Sequence, residues 1–166
     1  MSTIARLLRH LRTTSATGRR LFPPASLQAI EQCIGAGERR HRAEVRLVVE
    51  TALSPQAVLQ GQTPRERARM LFSQLGVWDT EENCGVLVYI NLADRQVEIV
   101  ADRGLGKAVS ANAWQELCKA MTLDFAQGEF ERGTIAALEQ LNAMLAERYP
   151  DDGATSNELP DRPLMM

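Results

Sequence analysis

The chain is short of the features that identify most functional classes. It has two histidines, three cysteines and eight aromatic side chains in 166 residues. The cysteines, Cys33, Cys84 and Cys118, are odd in number and far apart, with no CxxC or Cys/His ligand spacing. A structural zinc site is therefore not expected. They read as small core residues of a reducing compartment. No apolar run reaches the ~18 residues of a membrane helix. No apolar core with a cleavage site follows Met1, because arginines interrupt each short apolar stretch. A cytoplasmic protein is expected. Formal net charge is −2, so no global positive field points to nucleic acid. The few aromatics do not interleave with arginines, which argues against a base-stacking surface. GxGxxG and P-loop patterns are absent. Neither a Ser/His/acid trio nor a Cys/His pair can be assembled from spacing.

What the chain does have is ordinary globular composition, 45% hydrophobic and 24% charged, at the length of one domain. Its charge is uneven. Residues 1–22 carry Arg6, Arg9, Arg12, Arg19 and Arg20 and no acid, whereas residues 147–166 carry five acids against Arg148 and Arg162. Three regions are expected: a basic amphipathic segment over 1–22, a folded domain over 23–150 and a disordered acidic tail over 151–166.

Periodicity predicts the elements. Ile4, Leu7, Leu8 and Leu11 form one apolar stripe on a helix whose other face is basic. Thr13–Arg20 reads as a polar linker. A helix is expected from Pro24 to about Cys33, ended by Gly35 and Gly37. Glu44–Thr51 is a strand rich in β-branched residues. Thr63, Pro64 and Glu66 signal a capped helix running to about Leu75. Cys84–Asn91 is almost continuously apolar, so both of its faces should be covered. Gln96–Ala101 alternates, and the short link between the two makes an antiparallel hairpin. Helices are predicted from Ser110 to about Met121 and over Glu131–Arg148. The order α-α-β-α-β-β-α-α implies an α/β fold, a three-layer α/β/α sandwich around a small mixed sheet.

The stretch Cys84–Leu105 also carries a family signature. The apolar strand Cys84-Gly85-Val86-Leu87-Val88-Tyr89-Ile90 is followed by the turn and returning strand Asp94-Arg95-Gln96-Val97-Glu98-Ile99. The glycine loop Asp102-Arg103-Gly104-Leu105 comes next, then the spaced Phe125, Gly128, Phe130 and Gly133. Over about residues 24–148 this resembles the TPM domain family, and within it a soluble bacterial subgroup with Ala-Asp-Arg-Gly. The resemblance implies an α/β/α sandwich and a link to acid phosphatase activity, divalent-cation binding or membrane-associated assembly. Better-known members have a glycine-tyrosine-glycine-leucine-glutamate run with an aspartate shortly after. Here the glutamate position is Gly106, and Ser110-Ala111-Asn112 follows without the aspartate.

Several residues are candidates for chemistry. Asp102, Arg103 and Gly104 lie where a strand ends. Asp102 can offer oxygen to a hard cation, and Arg103 can grip a phosphate oxygen. The same residues also suit a plain turn. Asp79, Glu81, Glu82 and Asn83 form a second acidic loop. Glu82 and Asn83 together with Asp102 are the expected ligands of a Ca2+ or Mg2+ ion, the alternative being a solvated loop. Asp94 sits at the hairpin tip, where aspartates commonly serve the turn. His10 and His41 are flanked by arginines, which disfavours metal binding. The stripe Ile4–Leu11 suits a protein partner or an anionic membrane surface, which would make the protein peripheral at the inner membrane. Two functions follow: a non-catalytic binding or adaptor module, or a metal-assisted acid phosphatase.

Overall fold

The computed structural model describes residues 2–153 and 157–166, and side-chain surroundings for all of these except 106 and 108. Eight helices and four strands run in the order α1 (Thr3–Arg12), α2 (Ser15–Leu21), α3 (Pro24–Glu38), β1 (Glu44–Glu50), α4 (Pro55–Leu59), α5 (Pro64–Gln74), β2 (Gly85–Asn91), β3 (Gln96–Ala101), α6 (Arg103–Ala108), α7 (Ala111–Ala126), α8 (Phe130–Arg148) and β4 (Leu164–Met165) among these residues.

The sheet order is β3-β2-β1-β4. β1 pairs parallel with β2 and with β4, and β2 pairs antiparallel with β3. The period of two in the strands sorts side chains onto two faces. Val45, Leu47, Val49, Val86, Val88, Ile90, Val97 and Ile99 pack in the larger core, against α3, α7 and α8. Val48, Leu87 and Tyr89 face the other way, onto Ala68 and Leu71 of α5. The continuous apolar run of β2 is explained by these two covered faces: all seven of its residues are buried. The expected α/β/α layering is present.

α5 begins with the full capping box, Thr63 and Glu66 each accepting from the other's backbone N–H. The outer edge of β3 is guarded, since Arg65 donates from its guanidinium to the Ile99 carbonyl.

Four local expectations are corrected. Thr13–Arg20 is not a linker: Ser15–Leu21 is helical, and Gly18 is buried so closely that a Cβ there would lie 2.9 Å from Thr51 Oγ1. α3 does not stop at Gly35 but runs to Glu38, because Gly37 lets the helix meet Asn142, 2.1 Å from where a Cβ would sit. Two short helices, α4 and α6, were not foreseen. The tail is not wholly disordered. Leu164 and Met165 pair with Val48 and Val49 at the open edge of β1, and Arg46 Nη1 donates to the Pro160 carbonyl at 2.7 Å. The part of that expectation covering 154–156 lies outside the described residues.

Candidate functional site

The polar residues singled out above fall at opposite ends of the sheet. Because β3 is antiparallel, its carboxyl end lies beside the amino ends of β1 and β2. Asp102 and the Glu82–Asn83 loop therefore share one end, with the Asp102 N–H donating to the Gly85 carbonyl at 2.9 Å. Gly104 lets the two loops touch: a Cβ there would stand 2.8 Å from the Asn83 carbonyl oxygen. The Tyr149 hydroxyl donates to the Gly104 carbonyl at 2.8 Å and pins the loop to α8.

The side chains at this end are turned to local tasks. Asp102 is the N-cap of α6, and its Oδ1 accepts from the Arg103 N–H at 2.6 Å. Its Oδ2 is buried and has no hydrogen-bond partner among the described residues. Glu82 accepts from Arg42 Nη1 at 3.0 and 3.1 Å. Asn83 takes a left-handed conformation, φ 52°. Arg103 is exposed. Among the described residues, no group of three or more His, Cys, Asp or Glu side chains is arranged to hold a metal ion. The loops meet as expected, but their carboxylates do not form an oxygen shell. Calcium takes six to eight oxygen ligands, more than Glu82, Asn83 and Asp102 supply by themselves.

The carboxyl end of β1 and β2 holds a denser assembly. Glu50, the last residue of β1, accepts from Arg67 Nε on both oxygens, at 3.0 and 3.2 Å, and from Nη2 at 2.7 Å. The Tyr89 hydroxyl donates to Glu50 Oε2 at 2.6 Å. Asn91 Nδ2 donates to that hydroxyl at 2.9 Å, and Asn91 Oδ1 accepts the Asp94 N–H at 2.8 Å. Burial, the Glu50 bond and its charge together push the Tyr89 hydroxyl far above its ordinary value, so it is a fixed donor.

Asp94 extends this network into α1. Arg6 grips both of its oxygens, Nε to Oδ1 at 2.8 Å and Nη2 to Oδ2 at 2.6 Å. Arg9 Nη2 lies 3.1 Å from Oδ1, as does His10 Nε2. His10 Nδ1 accepts the Leu53 N–H at 2.9 Å, so the ring proton is on Nε2, facing the carboxylate. Burial works against ionisation of Asp94. The bonds from Arg6 and His10 outweigh it and hold the carboxyl at about 2. Asp94 is thus a docking anchor and not merely a turn residue. His10 and His41 are both buried core groups, His41 lying 3.1 Å from Asn142 Oδ1.

This anchoring inverts the ordinary placement of an amphipathic helix. The basic face of α1 turns inward to Asp94, and three of the four stripe residues turn outward, Leu7 being half-buried: Ile4 is 72%, Leu8 48% and Leu11 56% exposed. Leu59, at the end of the neighbouring α4, is exposed as well. Arg12, on the same helix, and Arg19 and Arg20 of α2 are also exposed. Sequence reasoning did not foresee this network, because its ionic partners are separated by 17 to 88 residues. The one usable signal was an acid-free arginine run and a lone turn aspartate.

The three thiols are disfavoured as thiolates. Burial raises all three, Cys84 and Cys118 to about 11. No helix among the described residues is long and apolar enough to cross a membrane.

Comparison with known proteins agrees with this architecture. No curated protein matches the sequence significantly. Among solved structures, the chain is similar to the NMR structure of the BA42 protein from the psychrophilic bacterium Bizionia argentinensis sp. nov.. Identity is 26%, the TM-score is 0.75, and the match covers 86% of this chain and 93% of that one. The pattern of the family described as the TPM domain matches residues 17–144, from α2 to near the end of α8. With that much of the chain matched, and with the hairpin, glycine loop and layered sheet in place, the protein belongs to the TPM domain family.

Proposed function

We propose that this TPM domain is a non-catalytic binding module that docks on anionic lipid surfaces through the outward face of α1. The observation that carries the reading is the inversion of α1, with Ile4, Leu8 and Leu11 outward while Arg6, Arg9 and His10 are held by Asp94. An exposed apolar stripe can enter the headgroup boundary, and exposed cations add attraction to acidic lipid. Arg12, Arg19 and Arg20 are the cations available for that second role. A helix bound this way acts peripherally and needs no spanning segment.

The metal-assisted phosphatase reading has less support. Its one favourable sign is the buried, unpartnered Oδ2 of Asp102. Against it stands Glu82, already neutralised by Arg42. Gly106 and Asn112 supply no further carboxylate. A hard divalent cation draws its affinity from charged oxygens, and one lone carboxylate is too few.

Vesicle flotation tests the proposal. The protein should float with vesicles containing phosphatidylglycerol and stay below with pure phosphatidylcholine. The variant I4S/L8S/L11S should lose flotation while keeping its circular dichroism. Equal flotation by that variant would overturn the membrane reading. Chelator-sensitive hydrolysis of p-nitrophenyl phosphate, lost in Asp102→Ala, would overturn the non-catalytic one.

A further inference from the structure

The edge of β1 away from β2 is closed by a strap, residues 157–166, that contains β4. This feature is independent of the outward face of α1.

The strap is held largely through its backbone. Its Leu159 N–H donates to Glu44 Oε2 at 2.9 Å, and its Pro160 and Arg162 carbonyls accept from Arg46 Nη1. The Met166 N–H donates to the Val49 carbonyl at 2.9 Å, and the Met166 carbonyl accepts from the Thr51 N–H at 2.8 Å. Bonds of this kind are open to any extended chain, whatever its side chains, and sheet edges take up peptides in this way. Two side chains add a sequence preference. Leu164 packs against the cluster of Val48 and Leu87 on the α5 face, and Met165 against the larger core on the other.

The grip is short. β4 is two residues long, whereas β1 and β2 pair over seven. Leu164 and Met165 are half-buried, and Met166 is exposed. Pro160 and Pro163 have no N–H to add to a ladder.

The strap also carries a charge that does not suit its seat. Asp161 lies over Gly35 of α3, where a Cβ would stand 2.6 Å from Asp161 Oδ2. A cavity of about 410 Å³ at this place is lined by Asp161, Glu38, Glu44 and Asp151, together with Arg39 and His41. His41 Nε2 is directed to Asn142 on α8. Burial above all, with Glu44 and Asp161 nearby, raises the Glu38 carboxyl to about 9. A third carboxylate is a poor neighbour for Glu38 and Glu44, and a cation in its place would be attracted to both.

We propose that the β1 edge is a docking groove for an extended peptide of a partner protein, and that the strap occupies it as an internal competitor. The favoured peptide carries lysine or arginine where the strap has Asp161. Apolar side chains follow three and four residues later, as Leu164 and Met165 do. Backbone bonds hold it in the register of the strap, and its cation meets Glu38 and Glu44. Its apparent affinity is the intrinsic one reduced by the fraction of molecules whose strap is open.

Two labelled peptides, followed by fluorescence anisotropy with the full chain, test this. One has the sequence of residues 157–166, and the other is the same with Asp161→Lys. The Asp161→Lys peptide should bind at least about tenfold tighter, the gain of one hydrogen bond between charged groups. Glu38→Gln in the protein should remove most of that preference and change binding of the unaltered peptide little. Leu164→Asp and Pro163→Gly in the protein both loosen the strap, one through its apolar anchor and the other through its backbone freedom. Both should raise the apparent affinity severalfold with circular dichroism unchanged, and amide shifts on binding should map to β1. Equal affinity of the two peptides would overturn the proposal. So would an absence of binding to both loosened, folded variants, or shifts confined to other surfaces. Tighter binding of the unaltered peptide would also overturn it, and would point to exchange of straps between copies of this chain.

Discussion

The two ends of the sheet are built from similar side chains and put them to different uses. At the amino end of β1 and β2, Asp102 caps the helix that begins next to it, and Glu82 pairs with one half-buried arginine. At the carboxyl end, Glu50 and Asp94 each gather several donors from elements far away in sequence, with side chains only 7% and 6% exposed. Exposed or local pairs contribute about 0–1 kcal/mol, whereas breaking one partner of a buried set costs several times more. The carboxyl end is therefore where electrostatics holds the molecule together. The amino end carries the residues that look most like a metal site in the sequence.

The sharpest way to break this contrast is Asp94→Ala. It leaves two arginines facing each other without their carboxylate. We expect a loss of about 3 kcal/mol in urea unfolding, with amide exchange in α1 rising most. The wild type should show the same weakness in acid. The Asp94 carboxyl sits at about 2, against an ordinary 3.8. Its contribution is thus complete above about pH 4 and lost as pH falls through 2. If α1 exchange stays slow in Asp94→Ala, the anchor is not Asp94.

Tyr89→Phe on the same network is milder, because Glu50 keeps Arg67. About 1 kcal/mol is expected by chemical denaturation. At the opposite end, Asp102→Ala should also cost about 1 kcal/mol, as helix caps do. Added calcium should leave the melting temperature of both wild type and variant unchanged. A calcium-dependent rise in wild type alone would reinstate the metal reading.

An effect of the opposite sign in pH concerns Glu38 at the end of α3. Burial, with Glu44 and Asp161 nearby, raises it from 4.5 to about 9, although the Val45 N–H works in the other direction. The folded state holds this proton more tightly than the unfolded chain does. Stability should therefore fall as pH rises from about 5 to 9. Glu38→Gln should flatten that slope in thermal melts across the window.

How much of this could be read in advance depended on distance along the chain. The β2–β3 hairpin was legible because its turn and its alternation lie within sixteen residues of one another. The start of α5 was legible because its box is four residues wide. Gly37 misled, because a glycine needed for contact with Asn142 resembles a helix stop when only neighbours are visible. β4 was invisible, since Leu164 and Met165 become a strand only beside the open edge of β1. The meeting of the Asp102 and Glu82 loops followed from the hairpin. The use of their carboxylates did not, because Arg42 lies forty residues from Glu82.

The reversed polarity of α1 also has a calorimetric consequence. Helices that lie on a domain by their greasy side expose hydrocarbon when they leave, which raises heat capacity and invites aggregation. Here the buried residue of the helix is His10, and its inward partners are ionic. Peeling it away would give water mostly charge to solvate. A step in which α1 detaches should carry almost no heat-capacity increment, and the remaining domain should stay dispersed.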